Sequence, residues 1–178
     1  MALAPRVFLT AEQIQKRVRE MGEQISADYP EGPLYLISVL KGAFIFMADL
    51  SRAMKTPARI EFIGISSYGK GKISSGSVTI LKDVESTVKG RDILLVDDIL
   101  ESGRTLAFAK DLLVARRARR VLVCALLQKP GKREVDVEAD FVGFVCPDLF
   151  VVGYGMDVAH AYRELPFIGH IVEDTEVG

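Results

Sequence analysis

The stretch Ile93 to Thr105, ILLVDDILESGRT, gathers residue types that can do chemistry. An apolar run, Ile93 to Val96, gives way to two carboxylates, Asp97 and Asp98. A short loop, Ile99 to Arg104, follows with Glu101, Ser102 and Gly103, and helix-forming sequence resumes at Thr105. The amides of such a loop and the N-terminus of the helix behind it can take a phosphate. The paired carboxylates can accept hydrogen bonds from a diol or help hold a divalent cation. Together they suit a phosphorylated sugar. On pattern alone the same residues also fit an ordinary strand-to-helix turn of an α/β protein, because short glycine motifs are weak without context.

The elements around this loop predict where it sits. Thr10-Ala11-Glu12-Gln13 reads as a capping box, and Ile14, Val18, Met21 and Ile25 follow at helical spacing. Pro30 to Pro33 ends that helix. Leu34 to Leu40 reads as a buried strand, Gly42 to Met54 as a helix and Arg59 to Ser66 as a strand. Tyr68 to Ser77 is polar and rich in glycine, which predicts a mobile segment, with a strand resuming at Val78 to Leu81. Strands at Asp92 to Val96, Val121 to Leu127, Phe141 to Val145 and Phe150 to Val152, with a helix from Thr105 to Ala115, complete the pattern. Strands alternating with helices predict a mostly parallel sheet flanked by helices, which binds ligands beyond the carboxyl ends of its strands. Lys41, Asp97 and Lys129 each follow directly on a predicted strand, so three candidate ligand groups share one rim.

Composition narrows the class. The chain has 178 residues, 49% of them hydrophobic, with 23 Lys and Arg against 24 Asp and Glu. That predicts a single domain spanning residues 1–178 with a substantial core. The balanced charge does not suggest a general nucleic-acid or membrane-surface binder. No segment has the length of a membrane-spanning helix, and MALAPRVFLT lacks the continuous apolar core of a signal peptide. Cys124 and Cys146 lie in apolar runs and read as small core residues. A cytoplasmic location is expected. Arg116, Arg117, Arg119 and Arg120 read as a solvated helix end favoured by the helix dipole. His160 and His170 lack a metal-ligand partner at useful spacing.

The motifs resemble those of the type I phosphoribosyltransferases, and in several strings the hypoxanthine-guanine branch. The match rests on ILLVDDILESGRT together with VLKGAFIFMADL, SSYG, LLQKPGKREV and FVVGYGMD, in order from Val39 to Arg163. The resemblance implies the type I phosphoribosyltransferase fold, with a mobile loop or hairpin and a small hood. The implied reaction is transfer of the 5-phosphoribosyl group from phosphoribosyl pyrophosphate (PRPP) to hypoxanthine or guanine, with Mg²⁺. Asp97, Asp98, Ser102, Gly103, Arg104 and Thr105 would hold the ribose and 5′-phosphate. Lys41, Gly42 and Arg163 would hold pyrophosphate, and the Leu40–Lys41 peptide would be cis. Lys129, Phe150, Val151 and Asp157 would hold the purine: Lys129 donating to a 6-oxygen, Phe150 stacking, Val151 reading the base edge. Asp97, Asp98 and Asp157 would be the metal carboxylates. Ser67 and Tyr68 would head a lid. A homodimer or homotetramer is implied.

One position departs from the pattern. Where the family's loop has a second aspartate, assigned as the base near purine N7, this chain has Glu101, with the same carboxylate on one more methylene. Glu101 is therefore the candidate catalytic base at a longer reach. Two other readings share the fold: a regulatory RNA-binding protein like the pyrimidine-operon attenuators, for which the arginine run would serve, and a xanthine-guanine phosphoribosyltransferase.

Overall fold

A computed structural model describes residues 4–67 and 78–172. Tyr68 and the rest of the expected lid, up to Ser77, lie outside the described residues.

β1 (Arg6–Leu9) leads into α1 (Ala11–Asp28), whose start is the expected capping box: Gln13 N donates to Thr10 Oγ1 at 3.2 Å, and Thr10 N to Gln13 Oε1 at 2.8 Å. Ile14, Val18, Met21 and Ile25 form its buried stripe. β2 (Leu34–Leu40) runs as predicted, and α2 (Phe44–Ala53) follows it. Next come β3 (Ala58–Ser67), β4 (Val78–Lys82), β5 (Asp92–Leu100), α3 (Arg104–Ala115), β6 (Arg120–Gln128), β7 (Phe141–Val145), β8 (Val151–Val152) and β9 (Ile168–His170).

Among the described residues the strands form a six-stranded sheet in the order β4-β3-β2-β5-β6-β7 and a small one in the order β1-β9-β8. Only β4 runs antiparallel in the larger sheet. α1 and α2 cover one face, burying Phe46, Met47 and Leu50 against Leu36, Leu94 and Leu126. α3 covers the other, burying Leu106, Ala109 and Leu113 against Ile37, Leu95 and Val123. Strands buried on both faces need apolar side chains in both alternations, as β2, β5 and β6 have. Cys124 and Cys146 are buried and free, as expected. Among the described residues no helix is long and apolar enough to cross a membrane.

Three expectations need correction. β5 does not end at Val96. It continues through the acidic pair to Leu100, because β6 keeps offering partners: Asp97 lies opposite Ala125, Ile99 opposite Leu127 and Leu100 opposite Gln128. The small sheet uses β1 and β9, two short segments for which the sequence predicts no element. The arginine run is not a freely solvated helix end. Arg116 donates twice to Asp83 at 2.6 Å, while Arg119 Nε and Arg120 Nη2 both reach Asp92 at 2.9 Å. Arg120 also lies 4.4 Å over the Tyr29 ring. Burial would raise the Asp92 pKa, but the bond from Arg119, reinforced by Arg120, holds it below the usual range.

Candidate active site

The carboxyl ends of β2, β5 and β6 bring the expected residues to one rim. A cleft of about 290 Å³ opens there, lined by Gly42, Asp97, Asp98, Glu101, Ser102, Gly103 and Thr105 among others. The loop from Glu101 to Gly103 turns the chain from β5 into α3. Gly103 makes the turn possible with φ of +83°, where a side chain would be strained, and a Cβ there would also lie 2.6 Å from Val137 Cγ1. The N-cap residue Gly103 has no side chain to cap α3; Arg104 N donates to Ser102 Oγ at 3.3 Å, and the helix N-terminus still presents amides suited to an anion.

In the acidic pair Asp97 is buried, Asp98 is half-buried, and both are electrostatically loaded. Asp97 is 8% exposed. Asp98 N donates to Asp97 Oδ1 at 2.9 Å and Ile99 N to Asp98 Oδ1 at 2.7 Å. Burial pushes the Asp97 carboxyl well up, and the charge of Asp98 adds to the rise. Burial also raises Asp98, although Asp97, nearby amides and Arg163 pull against it. Gly42 makes room for the pair: a Cβ there would stand 1.9 Å from Asp98 Oδ2. Two carboxylates crowded together with raised pKa values are hard oxygen donors short of positive charge, so they fit a divalent cation. Asp157 does not join them. It is gripped by Arg163 Nη2 at 2.9 Å and accepts from His160 N at 2.9 Å. Among the described residues no three His, Cys, Asp or Glu side chains stand close enough to form a ready-made metal cluster.

Lys129 is 6% exposed and lies just past β6. Its Nζ meets Glu101 Oε1 at 3.4 Å. The candidate purine donor and the candidate base are thus neighbours. Lys41, across the cis Leu40–Lys41 peptide, lines a second depression of about 440 Å³ with Phe44, Phe62, Lys82 and Arg163. Arg163 Nη1 also donates to Gly155 O at 2.6 Å. Val151 is buried in β8, whereas Phe150 is 57% exposed. Ser67 is the last residue of β3.

Arg104 behaves otherwise than a phosphate ligand by side chain. Its Nε donates to Glu134, whose own amide donates to Ser102 O at 2.9 Å. Glu134 therefore clamps both flanks of Gly103, a role the sequence reading missed. It missed as well the buried contact of Tyr154 with Asp49. Neither pairing leaves a local sequence signal, since the partners are 30 and 105 residues apart.

Comparison with known proteins places the sequence and the fold. A hypoxanthine-guanine phosphoribosyltransferase of Bacillus subtilis is 46% identical over 164 residues, covering 92% of this chain and 91% of that protein. The bifunctional protein TilS/HprT of Listeria innocua is also 46% identical over 92% of this chain, but the chain spans only 25% of its length. The crystal structure of a hypoxanthine-guanine phosphoribosyltransferase from Bacillus anthracis, with HEPES in its active site, superposes with a TM-score of 0.88 at 43% identity. That match covers 93% of this chain and 98% of that one. Residues 8–159 match the phosphoribosyl transferase domain, and this chain belongs to that family.

Proposed function

We propose that the protein salvages purines, transferring the 5-phosphoribosyl group of PRPP to hypoxanthine or guanine to give IMP or GMP and pyrophosphate. The observation that carries this reading is the pairing at 3.4 Å of a donor-only lysine, Lys129, with a carboxylate, Glu101, on the rim that also holds the acidic pair and the anion loop. A 6-oxopurine offers an acceptor at its 6-oxygen and a donor at N7–H on one edge. Lys129 and Glu101 are the complementary donor and acceptor, and an amino group at the 6-position would confront Lys129 with another donor.

In this mechanism the amides of Ser102 to Thr105 and the N-terminus of α3 hold the 5′-phosphate. Arg104 contributes backbone, since its guanidinium is engaged by Glu134. Asp97 and Asp98 take the ribose hydroxyls or the cation. Lys41, Gly42 and Arg163 bind the pyrophosphate, where an arginine fork suits phosphate oxygens. Phe150 stacks on the base, the Val151 backbone reads its edge, and Asp157 stands beside it. Glu101 accepts the N7 proton as the new bond forms. Ser67 and Tyr68 head a segment that excludes water from an oxocarbenium-like sugar. Mg²⁺, when bound through Asp97 and Asp98, would neutralise charge developing on the departing pyrophosphate, with Asp157 left on the purine side.

Residues 1–178 act in this reading as one cytoplasmic phosphoribosyltransferase domain. In the same reading it self-associates as a homodimer or homotetramer. RNA regulation is disfavoured because Arg116, Arg119 and Arg120 are already ion-paired. The test is a product assay with PRPP, Mg²⁺ and each of hypoxanthine, guanine, xanthine and adenine. Monophosphate from a 6-oxopurine and not from adenine is expected, the panel ranks xanthine against the others, and efficient adenine use refutes the reading. A salt-dependent RNA gel shift with no transferase activity would favour the regulatory alternative.

A further inference from the structure

Tyr154 stands at the tip of a tight turn. Gly153 and Met156 exchange backbone hydrogen bonds of 2.9 and 3.1 Å, which leaves Tyr154 and Gly155 as the central residues. Their φ angles are +50° and +99°. Positive φ at both central positions is the pattern of a type I′ turn, where glycine, asparagine and aspartate dominate. A tyrosine keeps such a backbone only when its surroundings hold it.

What holds Tyr154 lies on other elements. Its side chain is 3% exposed residue-wide, and its hydroxyl donates to Asp49 Oδ2 on α2. Asp49 is only 13% exposed at the side chain. It also accepts from Gln15 Nε2 on α1 at 3.0 Å, and from Arg52. Burial works to raise its pKa, but the hydrogen bonds from Gln15, Tyr154 and Arg52 outweigh burial and keep it ionised.

The same tip lies between two candidate subsites. A Cβ on Gly155 would stand 2.3 Å from Gly42 O, so the turn packs backbone on backbone against the Lys41–Gly42 loop. Phe150, Val151 and Val152 precede the turn and Asp157 follows it. α2 begins at Phe44, directly behind Lys41 and Gly42, and carries Asp49. The element that issues from the pyrophosphate loop therefore grips the turn that bears the purine segment.

We propose that Asp49 and Tyr154 are a pair of positioning residues that set the purine-binding segment, residues 150–157, in register with the Lys41–Gly42 loop. The pair acts through the backbone and touches neither substrate. This inference rests on the reading under Proposed function. If the contact only stabilised the fold, losing it would lower the melting temperature and leave the folded enzyme's treatment of its two substrates alike.

The test is steady-state kinetics on the full chain, varying hypoxanthine and PRPP in turn. Tyr154→Phe keeps the ring and removes the donor. Asp49→Ala removes the acceptor, and Asp49→Asn removes the charge but keeps an oxygen for the Tyr154 hydroxyl. Tyr154→Phe and Asp49→Ala are expected to raise KM for hypoxanthine roughly tenfold, the effect of one hydrogen bond to a charged group. KM for PRPP should change less than about twofold on the same argument. Asp49→Asn should restore most of the hypoxanthine KM. The double variant should be no worse than either single one, because both remove one contact. If Tyr154→Phe does not fold, Asp49→Asn against Asp49→Ala decides. Unchanged hypoxanthine KM, equal rises for both substrates, or additive effects overturn the inference while leaving the parent reading intact. An unmodified chain that converts no 6-oxopurine overturns both.

Discussion

Replacing Glu101 by glutamine keeps the length and shape of the side chain and removes its charge. Two effects follow, and the structure separates them by size. The first is loss of the ion pair with Lys129 at 3.4 Å. At an effective dielectric of about 20, two unit charges at that distance attract by about 5 kcal/mol before desolvation and screening. Glu101 is 43% exposed, so solvent and side-chain entropy reduce the net value to about 1 kcal/mol. In the proposed reaction hypoxanthine displaces that contact from Lys129. Glutamine at 101 should therefore leave KM for hypoxanthine unchanged or lower it by up to about fivefold. The second effect is loss of the base. General-base catalysis contributes about 10²–10⁴ in rate, or about 3–5 kcal/mol in the barrier. Single-turnover product formation, with PRPP, Mg²⁺ and hypoxanthine saturating, reads the second effect free of the first. Glu101→Gln should fall by at least about 10², with PRPP binding retained if, as proposed, Ser102 to Thr105 hold the 5′-phosphate. Glu101→Asp withdraws the carboxylate by about 1.5 Å, breaking the contact with Lys129 while keeping the charge, and should turn over as fast as the unmodified chain or faster. A Glu101→Gln rate equal to that of the unmodified chain refutes the assignment and leaves catalysis to the cation and the loop dipoles.

Lys129→Gln should erode the preference for 6-oxopurines, read as a rise in the ratio of adenine to hypoxanthine kcat/KM, because an amide can also accept from an amino group. Gly42→Ala should reduce turnover by about 10², since its Cβ would lie 1.9 Å from Asp98 Oδ2 and must move the acidic pair; turnover within a factor of about three in a steady-state assay would count against that pair. Asp98→Asn should abolish activity yet raise the melting temperature of the ligand-free protein at pH 8. The sign follows from the raised pKa values of Asp97 and Asp98, for which burial is the leading cause. The folded state holds these protons more tightly than the unfolded chain, so the pair destabilises most above its folded pKa. That penalty disappears as pH falls below the unfolded carboxylate value near about 4. The gain from Asp98→Asn should therefore shrink steadily between pH 8 and pH 4 in thermal melts.

Sequence spacing made much of the frame legible. The α1 start is written within four residues, and β2 is a seven-residue run, apolar but for Ser38, with a turn at each end, so local physics determines both. The end of β5 was not legible. Two adjacent aspartates read as the edge of a strand, but a partner strand that offers Ala125 to Gln128 overrides that local preference. The four residues of β1 and three of β9 carry too little pattern to announce a strand. At the site, Asp97, Asp98, Glu101 and the loop to Thr105 came from one contiguous string, and they do line one cleft. Lys129 was legible as a strand-end cation, but its contact with Glu101 was not. The same holds for the arginine run, whose charge was visible and whose partners, Asp83 and Asp92, were not. Tertiary pairing across tens of residues decides such contacts, and no window of sequence contains both halves.

Bare backbone is what lets the separate pieces of this rim meet. Asp98 Oδ2 occupies the space where a side chain on Gly42 would begin, and Gly42 O stands 2.3 Å from where one on Gly155 would begin. Acidic pair, Lys41–Gly42 loop and Tyr154–Gly155 turn thus approach one another through the bare backbone of Gly42 and Gly155. A side chain at either glycine would push neighbours apart by more than about 1 Å, the scale at which catalytic geometry fails. The Tyr154 turn is held by Tyr154 N donating to Leu165 O at 2.8 Å, Gly155 N to Arg163 O at 2.9 Å and Arg163 Nη1 to Gly155 O at 2.6 Å, and its tyrosine hydroxyl takes a further anchor. Asp49 supplies that anchor from α2, the helix that grows out of the loop, so loop and turn are referenced to one rigid element. Glu134 does the corresponding work on the far side, tying Ser102 O and Arg104 to the segment that follows Lys129. Both candidate subsites are thereby fixed to neighbouring elements by acidic residues that line neither the cleft nor a recognisable motif.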